Sequence, residues 1–333
     1  MSLIKECIIN KKVENKPVWF MRQAGRYLPE FREIRIKNQN FIELCLNEKL
    51  SSEITLQPLR RFEIDAAIIF SDILIVPYAL GQKVEFKKDF GPILDDIDFN
   101  IFNKIDEDKF KKKLNPIYKS LKLTSENKLL YKKDLIGFVG APWTILIYML
   151  NKQSPKKNIS INSFNDEKLI NDLLKIIIKF LKIHIKYQIN NGASIIQIFD
   201  SWAGLVEEKN LPKYIYEPTL DLVRYVKSLK TPVICFPRNI KNYKQFVNLV
   251  KPDVLNIDYN VKPEKIKEEI DTVIQGGLDP KILLGDKETL KVEALKYLNV
   301  FKDRPYIFNL GHGVLPETKP DNVEYLVKLV KDF

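Results

Sequence analysis

Pro17-Val18-Trp19-Phe20-Met21-Arg22-Gln23-Ala24-Gly25-Arg26 is a short apolar run that stops abruptly in a cationic turn. Such a run suits a buried strand and is too short for a helix. The same pattern, an apolar run closed by a polar or Gly-rich group, recurs along the chain. It appears at Ala66–Phe70, Leu135–Val139, Ser194–Phe199, Pro232–Phe236, Val254–Asp258, Thr272–Gln275 and Tyr306–Leu310. Longer amphipathic stretches separate the runs. The clearest spans Glu167 to Asn191, where Leu169, Leu173, Ile177, Phe180, Leu181 and His184 fall near helical spacing. Gly192 stands at its expected C-terminal stop. Alternating strand and helix predicts a parallel sheet. Eight repeats predict a single-domain α/β fold over residues 1–333, a (β/α)8 TIM barrel, in preference to an open doubly wound sheet.

One segment departs from the repeat. Gln82 to Asp134 is Lys-rich, with Gly91-Pro92 and the acidic pair Asp95-Asp96, and reads as an inserted loop plus helix. No run approaches the roughly 18 apolar residues a membrane span needs. The short apolar piece before Lys16 is broken by Lys5 and Glu6, so neither a signal nor a transit peptide is expected. Cys7, Cys45 and Cys235 are far apart and odd in number, which predicts no disulfide framework and no zinc site and fits a reducing cytoplasm.

The chain carries 54 Lys and Arg against 43 Asp and Glu, a net charge of +11. Such a surface attracts anions. Yet the basic clusters Lys111-Lys112-Lys113, Lys132-Lys133 and Lys156-Lys157 are scattered and lack interleaved aromatics, so no nucleic-acid partner is expected. Arginine is more informative. Only nine of the basic residues are Arg, and four of them (Arg22, Arg26, Arg32, Arg35) fall between positions 22 and 35. The guanidinium is a planar, permanently charged fork that grips carboxylates bidentately, which Lys cannot do. A solvated helix face accounts for Arg32 and Arg35. It accounts poorly for Arg22 and Arg26, which flank a Gly directly after the apolar run.

A barrel of this kind keeps its active site at the C-terminal ends of the strands. The groups there are Arg22 and Arg26, Ser71-Asp72, Gly140 to Thr144, Asp200-Ser201-Trp202, Arg238, Asp258, Gly276 to Pro280, and Gly311-His312-Gly313. Polar or Gly-rich groups at every strand end favour a functional mouth. Single residues have plainer readings. Asp72 and Ser201 suit helix caps, the glycines around His312 suit a turn, and Tyr148 and Phe41 suit core positions. His184 lies on an apolar helical stripe and reads as structural. No Gly-x-Gly-x-x-Gly or P-loop is present, and no Lys at a strand end suggests a Schiff base.

At these residues the chain resembles the uroporphyrinogen decarboxylase family. The matching segments are Pro17–Phe31, Phe70–Leu74, Gly140–Thr144, Ile198–Gly204 and Asn309–Gly313, in family order. The resemblance implies a (β/α)8 barrel, a cytoplasmic homodimer, and neither cofactor nor metal. It implies removal of the carboxyl groups from the four acetate side chains of uroporphyrinogen III, giving coproporphyrinogen III and CO2 in heme biosynthesis. By the same resemblance Arg22 and Arg26 bind substrate carboxylates, Gln23, Ala24 and Gly25 between them belong to the substrate-binding set, and Asp72 takes the pyrrole N–H groups. Tyr148, Ser201, His312 and Phe41 contact the substrate, and Asp72 and Arg22 are the catalytic pair. The proton donor stays open between Arg22 and His312, and Arg238 receives no role. The rival is a barrel methyltransferase of corrinoid metabolism built around a zinc-bound thiolate. Here no Cys and His pair at strand ends.

Overall fold

The computed structural model describes residues 1–87, 90–102, 104–155 and 166–333. The Lys156-Lys157 pair lies outside them. The strands are β1 (Ala66–Ile68), β2 (Val84–Lys87), β3 (Gly91–Leu94), β4 (Asp134–Gly140), β5 (Ile195–Asp200), β6 (Val233–Pro237), β7 (Val254–Ile257), β8 (Val273–Gly276) and β9 (Tyr306–Ile307). Seven of them form one curled parallel sheet in the order β1-β4-β5-β6-β7-β8-β9. Seven of the eight sequence-predicted runs therefore overlap strands of this sheet. No helix among the described residues is long and apolar enough to cross a membrane.

The eighth run, Pro17–Met21, is not a regular strand, and the reason is local. On one side Val18 bridges Phe308 in parallel fashion, with Phe308 N–H donating to Pro17 O at 2.7 Å and Trp19 N–H to Phe308 O at 3.3 Å. On the other side Asp65 N–H donates to Val18 O at 2.8 Å. The Val18 N–H, however, is taken by the Asp65 carboxylate at 2.7 Å instead of by a strand carbonyl. A side chain has replaced one rung of the ladder, so no pairing propagates toward β1. Lys331, in the last helix (Pro320–Lys331), holds the second oxygen of that carboxylate at 2.5 Å.

Strand side chains alternate between two apolar layers, as a period of two demands. Trp19, Met21, Ala66, Ile68, Ile136, Ile195, Ile234, Phe236, Val254, Val273 and Ile307 share one interior cluster. Their neighbours, among them Val18, Phe20, Ala67, Leu135, Ile196, Leu255 and Ile274, face the helices in a larger cluster. The first helix (Leu3–Ile9) adds Ile4, Cys7 and Ile8 to the interior cluster. Lys5 and Ser2 tie it to Asp134, at the N-terminal end of β4.

Three amides interrupt the interior. Gln197, Asn256 and Gln275 are fully buried. Gln275 accepts the Trp19 indole N–H at 3.0 Å and donates to Asn256 at 2.7 Å and to Gln197 at 3.2 Å. These bonds cross the interior and fasten Trp19 to strands β5, β7 and β8.

The helix predicted from Glu167 runs over Glu167–Asn190, capped by Asp166 and ended at Gly192, whose φ is +111°. The insert holds more than a loop and a helix. Its long helix (Glu107–Ser125) packs beside Glu48–Arg61 as one of the covering helices. Before it comes the antiparallel hairpin β2-β3, which the sequence reading did not anticipate.

Gln275→Leu keeps the volume roughly but strands the Trp19 N–H and two amide oxygens in an apolar interior. Each buried polar group left unpaired costs about 1–3 kcal/mol. The variant is expected to lose at least ~3 kcal/mol in equilibrium denaturation, and an unchanged midpoint would show that the network carries no stability.

Candidate active site

The mouth is built outward from Arg22. Its backbone sits at φ +60°, a left-handed conformation uncommon for a residue with a side chain. Met21, before it, is bound at both main-chain groups by one loop: Asn309 Oδ1 accepts Met21 N–H at 3.2 Å, and Val314 N–H donates to Met21 O at 2.9 Å. The guanidinium retains an exposed surface, yet the protein around it desolvates the cation and lowers its pKa, against the pull of nearby Asp72.

Asp72 follows β1. One carboxylate oxygen accepts the Leu74 N–H at 2.8 Å, a local turn bond. The capping reading of Asp72 is thus half right: this bond steadies the entry to the helix Ile75–Ala79, whose N-cap residue is Leu74. Burial pushes the carboxyl up to about 6, while the Leu74 N–H and Arg22 pull it down.

Behind the fourth predicted strand end lies a short relay. Thr144 Oγ1 donates to Asp200 Oδ1 at 2.6 Å and accepts the Trp202 N–H at 3.2 Å. Ser201 lies between the two anchored residues. It caps nothing: the following 3-10 turn starts from Trp202 without a side-chain cap bond. Burial raises Asp200 to about 7, opposed by the Thr144 hydroxyl. Tyr148, on the helix Pro142–Asn151, packs edge-on to Trp202 at 6.1 Å. Burial raises its phenol, and the fields of Asp72 and Arg22 both reach it.

Arg238 gains a place. Its Nε meets the fully buried Asp258 carboxylate at 3.3 Å. Together with Arg22 it holds His312 down. Desolvation is the largest cause, the two arginines add to it, and the imidazole falls to about 4. At neutral pH His312 in the free protein is uncharged. That environment disfavours His312 as a proton donor at neutral pH.

Phe41 opens the helix Phe41–Cys45 and is wedged between Phe70, at 5.7 Å, and Phe86 of the hairpin, at 4.6 Å. Arg35 lies 5.6 Å above the Phe41 ring. It also ends its own helix by donating to the Asn38 and Gln39 carbonyls. The field of Arg26 reaches Arg35 as well. The hairpin that packs on Phe41 also touches the end of the Tyr148 helix, with Leu94 N–H donating to Lys152 O at 2.7 Å. Gly91-Pro92 and the alternating Val84-Glu85-Phe86-Lys87 were the available signals for it.

Gln23 departs from the expected set. Its side chain is buried, donating to Ala66 O at 2.9 Å and accepting the Phe20 N–H at 3.0 Å. It is a staple between the first segment and β1, and its main chain is engaged too, the N–H donating to Phe20 O at 3.1 Å and the carbonyl accepting the Tyr27 hydroxyl at 2.7 Å. Ala24 and Gly25 form the turn between the arginines, and Arg26 is exposed beyond it. His184 is core, as read: it meets the Tyr118 hydroxyl at 3.1 Å, and burial drops its pKa to about 3. Among the described residues no three His, Cys, Asp or Glu side chains gather where a metal ion would be held.

Comparison with known proteins gives a consistent picture. The family model described as uroporphyrinogen decarboxylase (URO-D) matches residues 1–333. The uroporphyrinogen decarboxylase of Rickettsia felis (strain ATCC VR-1525 / URRWXCal2) is 42% identical over 97% of this chain and 96% of its own. That of Rickettsia bellii (strain RML369-C) is 40% identical over 100% of this chain and 99% of its own. Among solved structures, a methyltransferase from Methanosarcina mazei superposes with a TM-score of 0.79, covering 100% of this chain and 99% of that one. At 15% identity that likeness concerns the fold alone.

With only two His in the chain, ring titration by NMR resolves His312 cleanly. Its signal is expected to titrate near 4 in the free protein. Arg22→Ala removes a nearby cation and should raise that midpoint. A midpoint near the ordinary 6.5 in the unaltered protein would contradict the cationic environment described.

Proposed function

The chain belongs to the uroporphyrinogen decarboxylase family, and from that premise we propose that it decarboxylates the four acetate side chains of uroporphyrinogen III to give coproporphyrinogen III and CO2. It is a carboxy-lyase of porphyrin biosynthesis. In this reading Arg22 and Arg26 grip substrate carboxylates, with the Gln23-Ala24-Gly25 turn between them and the Gln23 side chain stapling that turn to β1. Phe41, Tyr148, Ser201 and His312 line the ring, and Asp72 receives the pyrrole N–H groups.

The observation that carries the reading is the setting of two residues: Arg22, in a left-handed turn at the end of the first segment, and Asp72, held after β1 by the Leu74 N–H, each within the other's field. Decarboxylation needs a sink for an electron pair. Protonating a ring carbon beside the acetate makes the pyrrole cationic. The bond to the carboxylate carbon then breaks, CO2 leaves, and the pair neutralises the ring as an exocyclic methylene. A proton added to that methylene and one lost from the ring carbon leave a methyl group. The net change is one proton consumed and one CO2 released per acetate. Ionised Asp72 stabilises the ring cation, and preorganised groups of this kind contribute about 3–4 kcal/mol. The arginines bind ground and transition states alike, so they add affinity more than rate. Arg22 is the nearer candidate for proton delivery, because His312 is uncharged at neutral pH.

The family supports further parts of the reading. One domain spans the chain, it works as a cytoplasmic homodimer, and it has no cofactor, nucleic-acid or membrane partner. Pro17–Met21 is then the eighth stave of a closed barrel, lying between β9 and β1.

The direct test is anaerobic incubation with enzymatically made uroporphyrinogen III and chromatography of the oxidised products. The stepwise hepta- to tetracarboxylate series is expected, and its absence sinks the assignment. Asp72→Asn should lower kcat by about 10²–10³-fold with KM little changed. Arg26→Lys should mainly raise KM, by about 10-fold. The sign of the pH effect follows from the raised carboxyl. Asp72 must be ionised to act, so kcat/KM should fall as pH drops through about 6, and a flat profile from pH 8 to 5 would contradict the role.

A further inference from the structure

The Gly311-His312-Gly313 loop does more than present an imidazole. It touches Arg22 directly. A Cβ placed on Gly313 would lie 2.4 Å from Arg22 Cδ, 2.6 Å from Cγ and 3.0 Å from Nε. Nine in ten real contacts of a Cβ are longer than about 3.4 Å, so the Arg22 stem lies flat against the bare Gly313 backbone. Gly313 is not itself in the left-handed region, so its backbone tolerates a side chain. What excludes one is the arginine.

The same loop fixes the backbone that leads into Arg22. Asn309 Oδ1 and Val314 N–H bind the two main-chain groups of Met21, and Arg22 follows at φ +60°. Backbone and stem are therefore held by one neighbouring segment. Among the described residues the electrostatic partners of the guanidinium, Asp72, Tyr148, Arg26 and Arg238, act on it through their fields.

We propose that Gly313 is a positioning residue that seats the Arg22 side chain at the mouth. The inference rests on the reading of Arg22 as a ligand for substrate carboxylate. Adding one methyl group at position 313 then lifts the Arg22 stem and misplaces its head, and a misplacement of about 1 Å can cost about 10²-fold in rate.

The test is a double-mutant cycle on the full chain with Gly313→Ala, Arg22→Ala and the pair. Three readouts are taken: kcat/KM with uroporphyrinogen III, thermal midpoint, and the His312 ring titration. Gly313→Ala alone should lower kcat/KM by about 10–100-fold and lower the midpoint. In the pair, Arg22→Ala removes the stem that clashes. The pair should therefore match Arg22→Ala within about twofold in kcat/KM, melt no lower than it, and share its His312 titration. Losses that multiply in the pair, or a pair that melts as low as Gly313→Ala, overturn the proposal. If Gly313→Ala fails to fold, a folded pair supports the proposal and an unfolded one overturns it. If Arg22→Ala keeps full kcat/KM, the ligand reading of Arg22 fails, and the melting and His312 data still decide the seating.

Discussion

A single extended segment, Pro17–Met21, has to be held at both edges before the mouth exists. One edge is bound by the Phe308 backbone, the other by Asp65, whose carboxylate reaches across to the Val18 N–H and is itself held by Lys331. The far end is gripped by Asn309 and Val314 through Met21. The inward-facing Trp19 is fixed by Gln275. With four independent restraints on so few residues, the chain leaves the sheet in only one direction. Arg22 emerges in a backbone conformation that a looser segment would relax, since such residues persist only where their surroundings over-determine them.

The charges at the mouth fall into a clear order. Asp258 is fully buried against Arg238, so that acid serves a partner inside the protein. Asp72 has Arg22 in its field yet keeps a raised pKa, because desolvation outweighs the attraction. His312 faces two arginines and gives up its proton readily. The free cations of the mouth thus outnumber its unpartnered anions, a balance that suits a polycarboxylate. In the proposed chemistry affinity comes mainly from the arginines, and rate comes from the acid whose charge the surroundings least favour and from the group that delivers the proton.

Much of this was legible in the residues. Alternating short apolar runs and amphipathic stretches located seven strands of the sheet to within three residues at each end, because burial on both faces demands continuous apolar runs. The rarity of Arg in a Lys-rich chain marked Arg22 and Arg26. Other features depend on partners distant in sequence. Gln23 reads as a polar turn residue, and only the proximity of Ala66 shows it as a staple. Arg238 acquires its place from Asp258, twenty residues away and just past the end of the next strand. The hairpin β2-β3 sits inside a Lys-rich stretch whose alternation is too brief to stand out. The lowered pKa of His312 comes first from its burial and then from two arginines on other loops, which no local pattern encodes.

The buried amides have a consequence for how such chains change over generations. Gln275 is the hub that satisfies Trp19, Asn256 and Gln197, whose own amide nitrogens reach the Ile257 carbonyl and the Met21 sulfur, all in a fully buried interior. A lone substitution at any of the four strands its neighbours, whereas a concerted replacement by apolar residues of like shape is close to neutral. These positions, scattered over more than 250 residues of chain, are therefore coupled in inheritance: drift at one is tolerated only when the others drift with it.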